Sequence, residues 1–381
     1  VQTQDDRRGL YSSNRLKLGV FGPNCSSGLA ATKVPERWSG SWEDNLALAA
    51  MLDDAGIEFI LPVGRWKGFA GDTDPAGATF ETVTWATGLL SATSRITIFG
   101  TVHAPLIHPV YAAKMFVTAD HASRGRFGLN VVCGWNQDEF DMFGAQQRDH
   151  DDRYAYGSEW LEVVRRLWSE PAAFDYAGEY FTLTGLKAQP KPYGGTRPVI
   201  MNAGASPAGT AFALRHADHF FTRFITPEQA VTDVAAVRAR SRELGRPVEV
   251  CSAINLVCRP TVREAQDYYR YYADEQADWA AIDHKTGVAA AHGYQSADYE
   301  RFHANRVRQA AGYGSYPCVG DPDTVAAELA RFSELGFTGL AFGLVNYLDE
   351  FPYVRDEVLP RLERLGVRGP SATSAVRSEI G

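Results

Sequence analysis

The chain has 381 residues, 45% hydrophobic and 22% charged, the balance of an ordinary folded protein rather than a disordered one. The 38 Lys and Arg against 46 Asp and Glu give a net charge of −8, and no basic run is long enough to follow a nucleic-acid backbone. No segment approaches the roughly 18 apolar residues of a membrane span, and the first residues, VQTQDDRRGLYSS, lack the apolar stretch of a signal peptide.

In chain order, residues 1–15 read as a polar extension. LKLGVFG (16–22) is the first apolar run, and Trp42 to Gly56 follows as a helix with apolar residues at 46, 48, 49, 51 and 52. IEFILPV (57–63) precedes a helix over 79–93, RITIFGTV (95–102) one over 109–123, and RFGLNVV (126–132) one over 151–168. PVIMNAG (198–204) leads into 207–216, DHFFTRF (218–224) into 227–244, and TGLAFGL (338–344) into a helix near 350–365. VEVCSAINLVC (248–258) is the seventh of these runs. Strands that are apolar throughout are those of a parallel sheet covered on both faces. Eight strand–helix units predict an α/β fold, a (β/α)₈ TIM barrel, with a doubly wound sheet as the runner-up.

Two intervals are long and are expected to be insertions after strands four and seven, at about 172–197 and 261–320. The first contains FDYAGEYFTLTGLKAQPKP (174–192), which reads as a hairpin. The second carries Tyr268, Tyr269, Tyr271, Tyr272, Trp279, Tyr294, Tyr299, Tyr313 and Tyr316, and reads as a helix followed by a long loop acting as a lid or subunit contact. Both are expected on the face of the active site. Residues 16–368 thus form one domain, and 369–381 a loose tail.

The five cysteines (25, 133, 251, 258 and 318) form no C-x-x-C, which points to a reducing cytoplasm and leaves the sequon at Asn24 without a glycan. No cluster of His and carboxylates recurs at strand ends, so no metal site is expected. His103 and His108 read as residues of one loop.

Two features carry chemistry. Strand five ends in Asn202-Ala203-Gly204-Ala205-Ser206-Pro207. Ser206 is a good helix N-cap, Pro207 suits the first helical position, and Gly204 allows close approach to the backbone. The start of that helix is a candidate anion site, with a plain capped helix as the alternative. Second, Thr101 and Asn130 are polar residues in apolar strands, near Trp135, and a buried Asn needs a partner from a core network or a heterocyclic cofactor. Leu61, Val63 and Trp66 add apolar wall. No strong acid–base pair is evident, so a cofactor is expected to carry the hard chemistry.

PNCSSGLAATKV (23–34), RWKGFAG (65–71), SATSRI (91–96), RGRFGLNVVCGWNQDEF (124–140), HDDRYAYGSEWLEVVRRLW (150–168), GEYF (178–181) and NAGASPAGTAFA (202–213) resemble the bacterial-luciferase-like flavin-dependent monooxygenases. The resemblance runs from about Leu16 to the last helix and leans toward the dimethylsulfone monooxygenase and pyrimidine oxygenase branch. It implies a TIM barrel that receives reduced FMN from a separate NAD(P)H:FMN reductase, uses O₂, and oxygenates a small organic substrate with cleavage of a C–S, C–N or C–halogen bond. A homodimer or homotetramer is implied as well.

By position, the resemblance places Ser206, Ala205, Gly204, Tyr154 and Arg153 at the FMN phosphate. It places Leu61, Val63, Thr101 and Asn130 along the flavin, and Thr101, Asn130 and Trp135 at the reacting centre. Trp66, His103 and Arg223 are substrate candidates. Pro62-Val63-Gly64-Arg65-Trp66 departs from the T-G-R-S-C element of the alkanesulfonate branch, which disfavours a sulfonate. A deazaflavin (F420)-dependent oxidoreductase on the same barrel and a non-catalytic flavin-binding relative are the competing readings.

Overall fold

The computed structural model describes residues 9–224, 226–291 and 306–370, and side chains within these except at 288–291. Eight strands form a closed parallel barrel: β1 (Lys17–Phe21), β2 (Phe59–Leu61), β3 (Thr97–His103), β4 (Phe127–Val132), β7 (Val199–Asn202), β8 (His219–Thr222), β9 (Glu249–Cys258) and β11 (Gly339–Gly343), with β5, β6 and β10 outside it. The β8–β9 pairing closes the ring, which β11 and β1 complete on the other side. All eight apolar runs are therefore barrel strands, and the doubly wound alternative falls.

The closed ring is filled by complementary volumes. Phe59, Leu61, Phe99, Val199, Met201, Phe221, Cys251, Ala253 and Ala341 form its interior cluster. Phe59 occupies the space that a side chain at Gly19 would take, and Phe99 does the same opposite Gly128: a Cβ at either glycine would lie 2.6 Å from the ring. Large residues on β2 and β3 thus face missing side chains on β1 and β4, the interdigitation that close packing requires. Leu10 joins this cluster, so the part of the 1–15 extension that is described helps fill the barrel interior.

The outer helices begin with the caps that their sequences carry. Ser206, Thr226 and Asp321 each accept a hydrogen bond from a backbone N–H in the first turn, and each precedes a proline.

The hairpin is present as β5 (Phe174–Ala177) and β6 (Thr182–Leu186). Its position differs from expectation. It follows the helix Asp152–Ser169 rather than a strand, and Glu159 of that helix accepts from the N–H groups of Tyr180 and Phe181 at its tip. It therefore packs on the outer helix layer and not over the mouth of the barrel. The second insertion departs in another way. It contains helices Val262–Arg270, Trp279–Ala291 and Arg306–Gly312, and a strand, β10 (Tyr316–Gly320), paired with the far end of β9. Tyr294 and Tyr299 lie outside the described residues, as does most of the 369–381 tail.

This insertion is anchored over the mouth. Asp278 accepts from the N–H and hydroxyl of Thr73, in the loop after β2. Ala31, after β1, donates to Ala310, and the Thr32 hydroxyl donates to the carbonyl of Tyr272.

Truncating an interior ring should cost far more than truncating an exposed one. Phe99→Ala is expected to lower the free energy of denaturant unfolding by about 3–5 kcal/mol. Tyr111→Ala, at a residue 66% exposed, should change it by about 0.5 kcal/mol or less.

Candidate active site

The carboxyl ends of the strands gather most of the residues singled out by sequence. Thr101 on β3 and Asn130 on β4 are both buried and sit directly opposite each other in the parallel register. The Thr101 hydroxyl donates to the carbonyl of Pro62 at 2.8 Å, and Asn130 Nδ2 donates to Thr101 Oγ1 at 3.1 Å. This chain fixes the amide. The hydroxyl proton is committed to Pro62, so Thr101 Oγ1 acts as an acceptor and must face the Asn130 NH₂. Asn130 Oδ1 then points the other way, and it is buried with no hydrogen-bond partner among the described residues. A buried carbonyl oxygen without a donor is uncommon and costly. It marks a place for a ligand N–H or O–H.

Leu61 and Val63 are buried beside this network, at the end of β2. The Val63 backbone is held by Asn24, whose amide accepts from Val63 N and donates to Val63 O, both at 2.9 Å. The sequon asparagine is thus wholly inside the fold. Cys25 beside it is also buried, and burial pushes its thiol up to about 12, which makes it a packing residue.

The second cluster was not visible in the sequence. Glu139, on the helix Gln137–Met142, receives Arg65 Nη1 and the N–H of Trp66 on one carboxylate oxygen, each at 3.0 Å. Both charged side chains are buried. The Arg65 guanidinium lies 4.5 Å from the centre of the Trp135 ring. His103 is the last residue of β3, not a loop residue, and its Nε2 stands 3.7 Å from the other Glu139 oxygen. That distance is beyond hydrogen-bond reach. Burial, with Arg65 nearby, pushes the imidazole down to about 3, so His103 is neutral at ordinary pH. His108 is instead the N-cap of the helix Pro109–Ala122. Trp66 is 41% exposed and stands edge-on to Phe143 at the rim, 4.9 Å between centroids.

The third cluster is the loop after β7. Asn202 ties it down, donating to Val131 O at 2.7 Å and accepting from Gly204 N at 2.9 Å. Ser206 caps the helix Pro207–His216 by accepting from Gly209 N at 3.1 Å. Gly204 and Gly209 meet backbone to backbone: a Cβ at Gly204 would lie 2.7 Å from Gly209 Cα, and one at Gly209 would lie 2.6 Å from the Tyr154 hydroxyl. The glycines thus bring the phenol over the first helical turn. Among the described residues nothing takes the N–H of Ala205 or Ser206.

Ala205 and Thr210 also line a cavity of about 360 Å³, with Arg223 and Arg308 among its other walls. Arg153 is turned elsewhere. Its Nη1 donates to Gly134 O at 2.6 Å and its Nε to His150 O at 3.2 Å, so its guanidinium braces the loop after β4. Among the described residues no group of three or more His, Cys, Asp and Glu could hold a metal ion.

A family profile described as luciferase-like monooxygenase matches residues 16–339. The chain belongs to this family. The FMNH₂-dependent dimethylsulfone monooxygenase of Pseudomonas fluorescens (strain Pf0-1) is 28% identical over 371 residues, 96% of this chain and 99% of that protein. The pyrimidine monooxygenase RutA of Cronobacter turicensis is 32% identical over 272 residues, 69% of this chain and 71% of its own. The crystal structure of DmoA from Hyphomicrobium sulfonivorans shares the fold, with a TM-score of 0.83 and 19% identity over 94% of this chain and 90% of that one. In this luciferase-like barrel the Asn130, Glu139 and Ser206 clusters all stand at carboxyl ends of strands, where such barrels build their active sites.

His103 gives this family member a measurable pH signature. The unfolded imidazole takes up a proton as pH falls through about 6.5, while the folded one does so near 3. Its contribution to stability is present above pH 6.5 and is lost as pH falls toward 3. His103→Gln should therefore flatten the dependence of unfolding free energy on pH in that window by up to about 1.4 kcal/mol per pH unit, one proton's worth. His216, pushed down to about 4, and the depressed His219 keep part of the slope. Identical slopes in the variant and the wild type would contradict the assignment.

Proposed function

We propose that this chain is the oxygenase component of a two-component FMNH₂-dependent monooxygenase, which oxygenates a small organic substrate and cleaves a C–S, C–N or C–halogen bond. The observation that carries the reading is Asn130 Oδ1, a buried acceptor aimed away from its own network and in need of a donor. The edge of a flavin ring offers such an N–H. The N–H groups of Ala205 and Ser206, the Tyr154 hydroxyl and the positive end of the helix Pro207–His216 suit the phosphate at the other end of FMN.

Reduced FMN, when bound, supplies the electrons that activate O₂. The residues of the chain bind, orient and exclude water. Asn130 accepts from the ring, and Thr101 holds the Asn130 amide in the orientation that makes this possible. Leu61 and Val63 keep the site apolar, which suits a small apolar gas. Trp135, held under the Arg65 guanidinium, closes one side, and Glu139 balances the Arg65 charge. The neutral His103 adds no charge.

The proposal extends to a separate NAD(P)H:FMN reductase as partner, in keeping with the FMNH₂-dependent dimethylsulfone monooxygenase among the relatives. It includes self-association as a homodimer or homotetramer, for which exposed Trp66, Met142 and Phe143 offer an apolar patch. It also includes residence in a reducing cytoplasm, in keeping with five free, buried cysteines.

The decisive test supplies reduced FMN from a reductase and screens sulfones, pyrimidines and haloaromatics under ¹⁸O₂. The reading expects one labelled oxygen atom in a product and oxygen uptake coupled to it. Turnover only with a reduced deazaflavin and without O₂ would favour the hydride-transfer alternative, and flavin binding without turnover would favour a binding protein. Ser206→Ala, which removes the helix cap and a hydroxyl donor beside those N–H groups, and Tyr154→Phe should each weaken FMN binding by roughly 3- to 10-fold, the worth of one hydrogen bond, as measured by fluorescence titration. Unchanged affinity in both variants would remove the phosphate site.

A further inference from the structure

A further buried polar pair, Lys285 and Tyr313, lies at the mouth and takes no part in the flavin reading. Lys285, on the insertion helix Trp279–Ala291, carries its ammonium into the interior, where it is buried without a hydrogen-bond partner among the described residues. It stands 3.3 Å from the centre of the Tyr313 ring and 5.3 Å from that of Phe69. Among the described residues the buried Tyr313 hydroxyl likewise has no hydrogen-bond partner. Phe69 and Tyr313 pack edge to face at 5.9 Å, and Arg65 lies 5.6 Å from the Phe69 ring.

The surroundings place this cluster at the reacting end of the barrel. Phe69 and Arg65 come from the loop after β2, Cys25 from the loop after β1, and Arg223 from the end of β8. Arg65 is answered by Glu139; among the described residues the charges that act most on Lys285 are those of Arg223 and Arg65, both positive. Burial and these two cations push the ammonium well below its usual range. An ammonium shut away from water, flanked by cations and aromatic rings and facing a phenol with no acceptor, is a costly arrangement. Loss of its proton is one relief; a ligand anion is the other, because one oxygen group can accept from both the protonated amine and the phenol.

We propose that Lys285 and Tyr313 form a substrate subsite for an anionic oxygen group, in the simplest case a carboxylate, on an otherwise apolar organic molecule. This rests on the monooxygenase reading, in which the mouth receives a small organic substrate, and it narrows that substrate to an organic acid. Phe69 and Tyr313 supply the apolar walls, and Arg223 adds long-range attraction for the anion. Two groups from the insertion thereby recognise the substrate, which gives that segment a role in specificity beyond covering the mouth.

The test is equilibrium binding of acetate and benzoate, with benzamide as the neutral isostere, by calorimetry to the wild type, Lys285→Met, Lys285→Arg and Tyr313→Phe. At least one carboxylate should bind saturably to the wild type and roughly tenfold or more weaker to Lys285→Met, the loss expected on removing one member of a buried charge pair. Tyr313→Phe should lose several-fold and Lys285→Arg should retain binding, so the account stays testable if the methionine variant does not fold. Benzamide should bind weakly to all four. Absence of saturable carboxylate binding to the wild type, equal binding by Tyr313→Phe and Lys285→Met, or benzamide binding as tightly as benzoate would overturn the subsite. FMN titration of the same proteins keeps the two readings apart: FMN affinity should be unchanged in the variants, and a wild type that binds carboxylate but not FMN would count against the flavin reading and not against the subsite.

Discussion

The structure turns on a single unsatisfied acceptor. Thr101 must give its proton to the Pro62 carbonyl, because a carbonyl oxygen can only accept. Asn130 must then give its amine to Thr101, and its carbonyl is left buried and facing outward. Three strands contribute to this relay, and parallel pairing sets Thr101 beside Asn130. A closed barrel makes it possible, since the interior rings of Phe59 and Phe99 fix the neighbouring strands at a spacing that glycines on β1 and β4 allow.

Around that acceptor the mouth separates into regions of different character. The loop after β7 is open and presents backbone donors near a tyrosine hydroxyl, which suits a phosphate. The region of Arg65, Glu139 and His103 is buried and internally balanced, and its role is to hold Trp135 and the loops after β2 and β4 in place. The region under the insertion is buried, and its Lys285 amine and Tyr313 hydroxyl have no hydrogen-bond partner among the described residues. A loop of backbone donors, a dry centre and a buried lysine therefore lie on one face, the places where the proposal puts a phosphate-bearing cofactor, oxygen and an acidic substrate.

Much of the fold was legible because buried parallel strands are continuous apolar runs and their helices start with recognisable caps. The Ser206-Pro207 cap and the polar pair Thr101 and Asn130 stood out for the same reason: each breaks a local pattern. What escaped was non-local. Glu139 lies 74 residues from Arg65, and nothing near either one signals the pair. Lys285 sits in a helical stretch where a lysine normally faces water, and its burial follows from Asp278 and Thr73 holding that helix on the barrel. β10 was hidden by a tyrosine and a proline that read as loop, Tyr316 and Pro317, and it exists because β9 runs past β8 and leaves an edge to pair with. The hairpin was recognised by its turns, but its place on the outer layer depends on Glu159, which sequence could not point to.

The most direct measurement is a crystal structure of the protein with FMN. The account predicts the phosphate at the N–H groups of Ala205 and Ser206 and the Tyr154 hydroxyl, with a ring N–H donating to Asn130 Oδ1. A flavin bound with its phosphate away from that loop, or with Asn130 Oδ1 still lacking a donor, would contradict it.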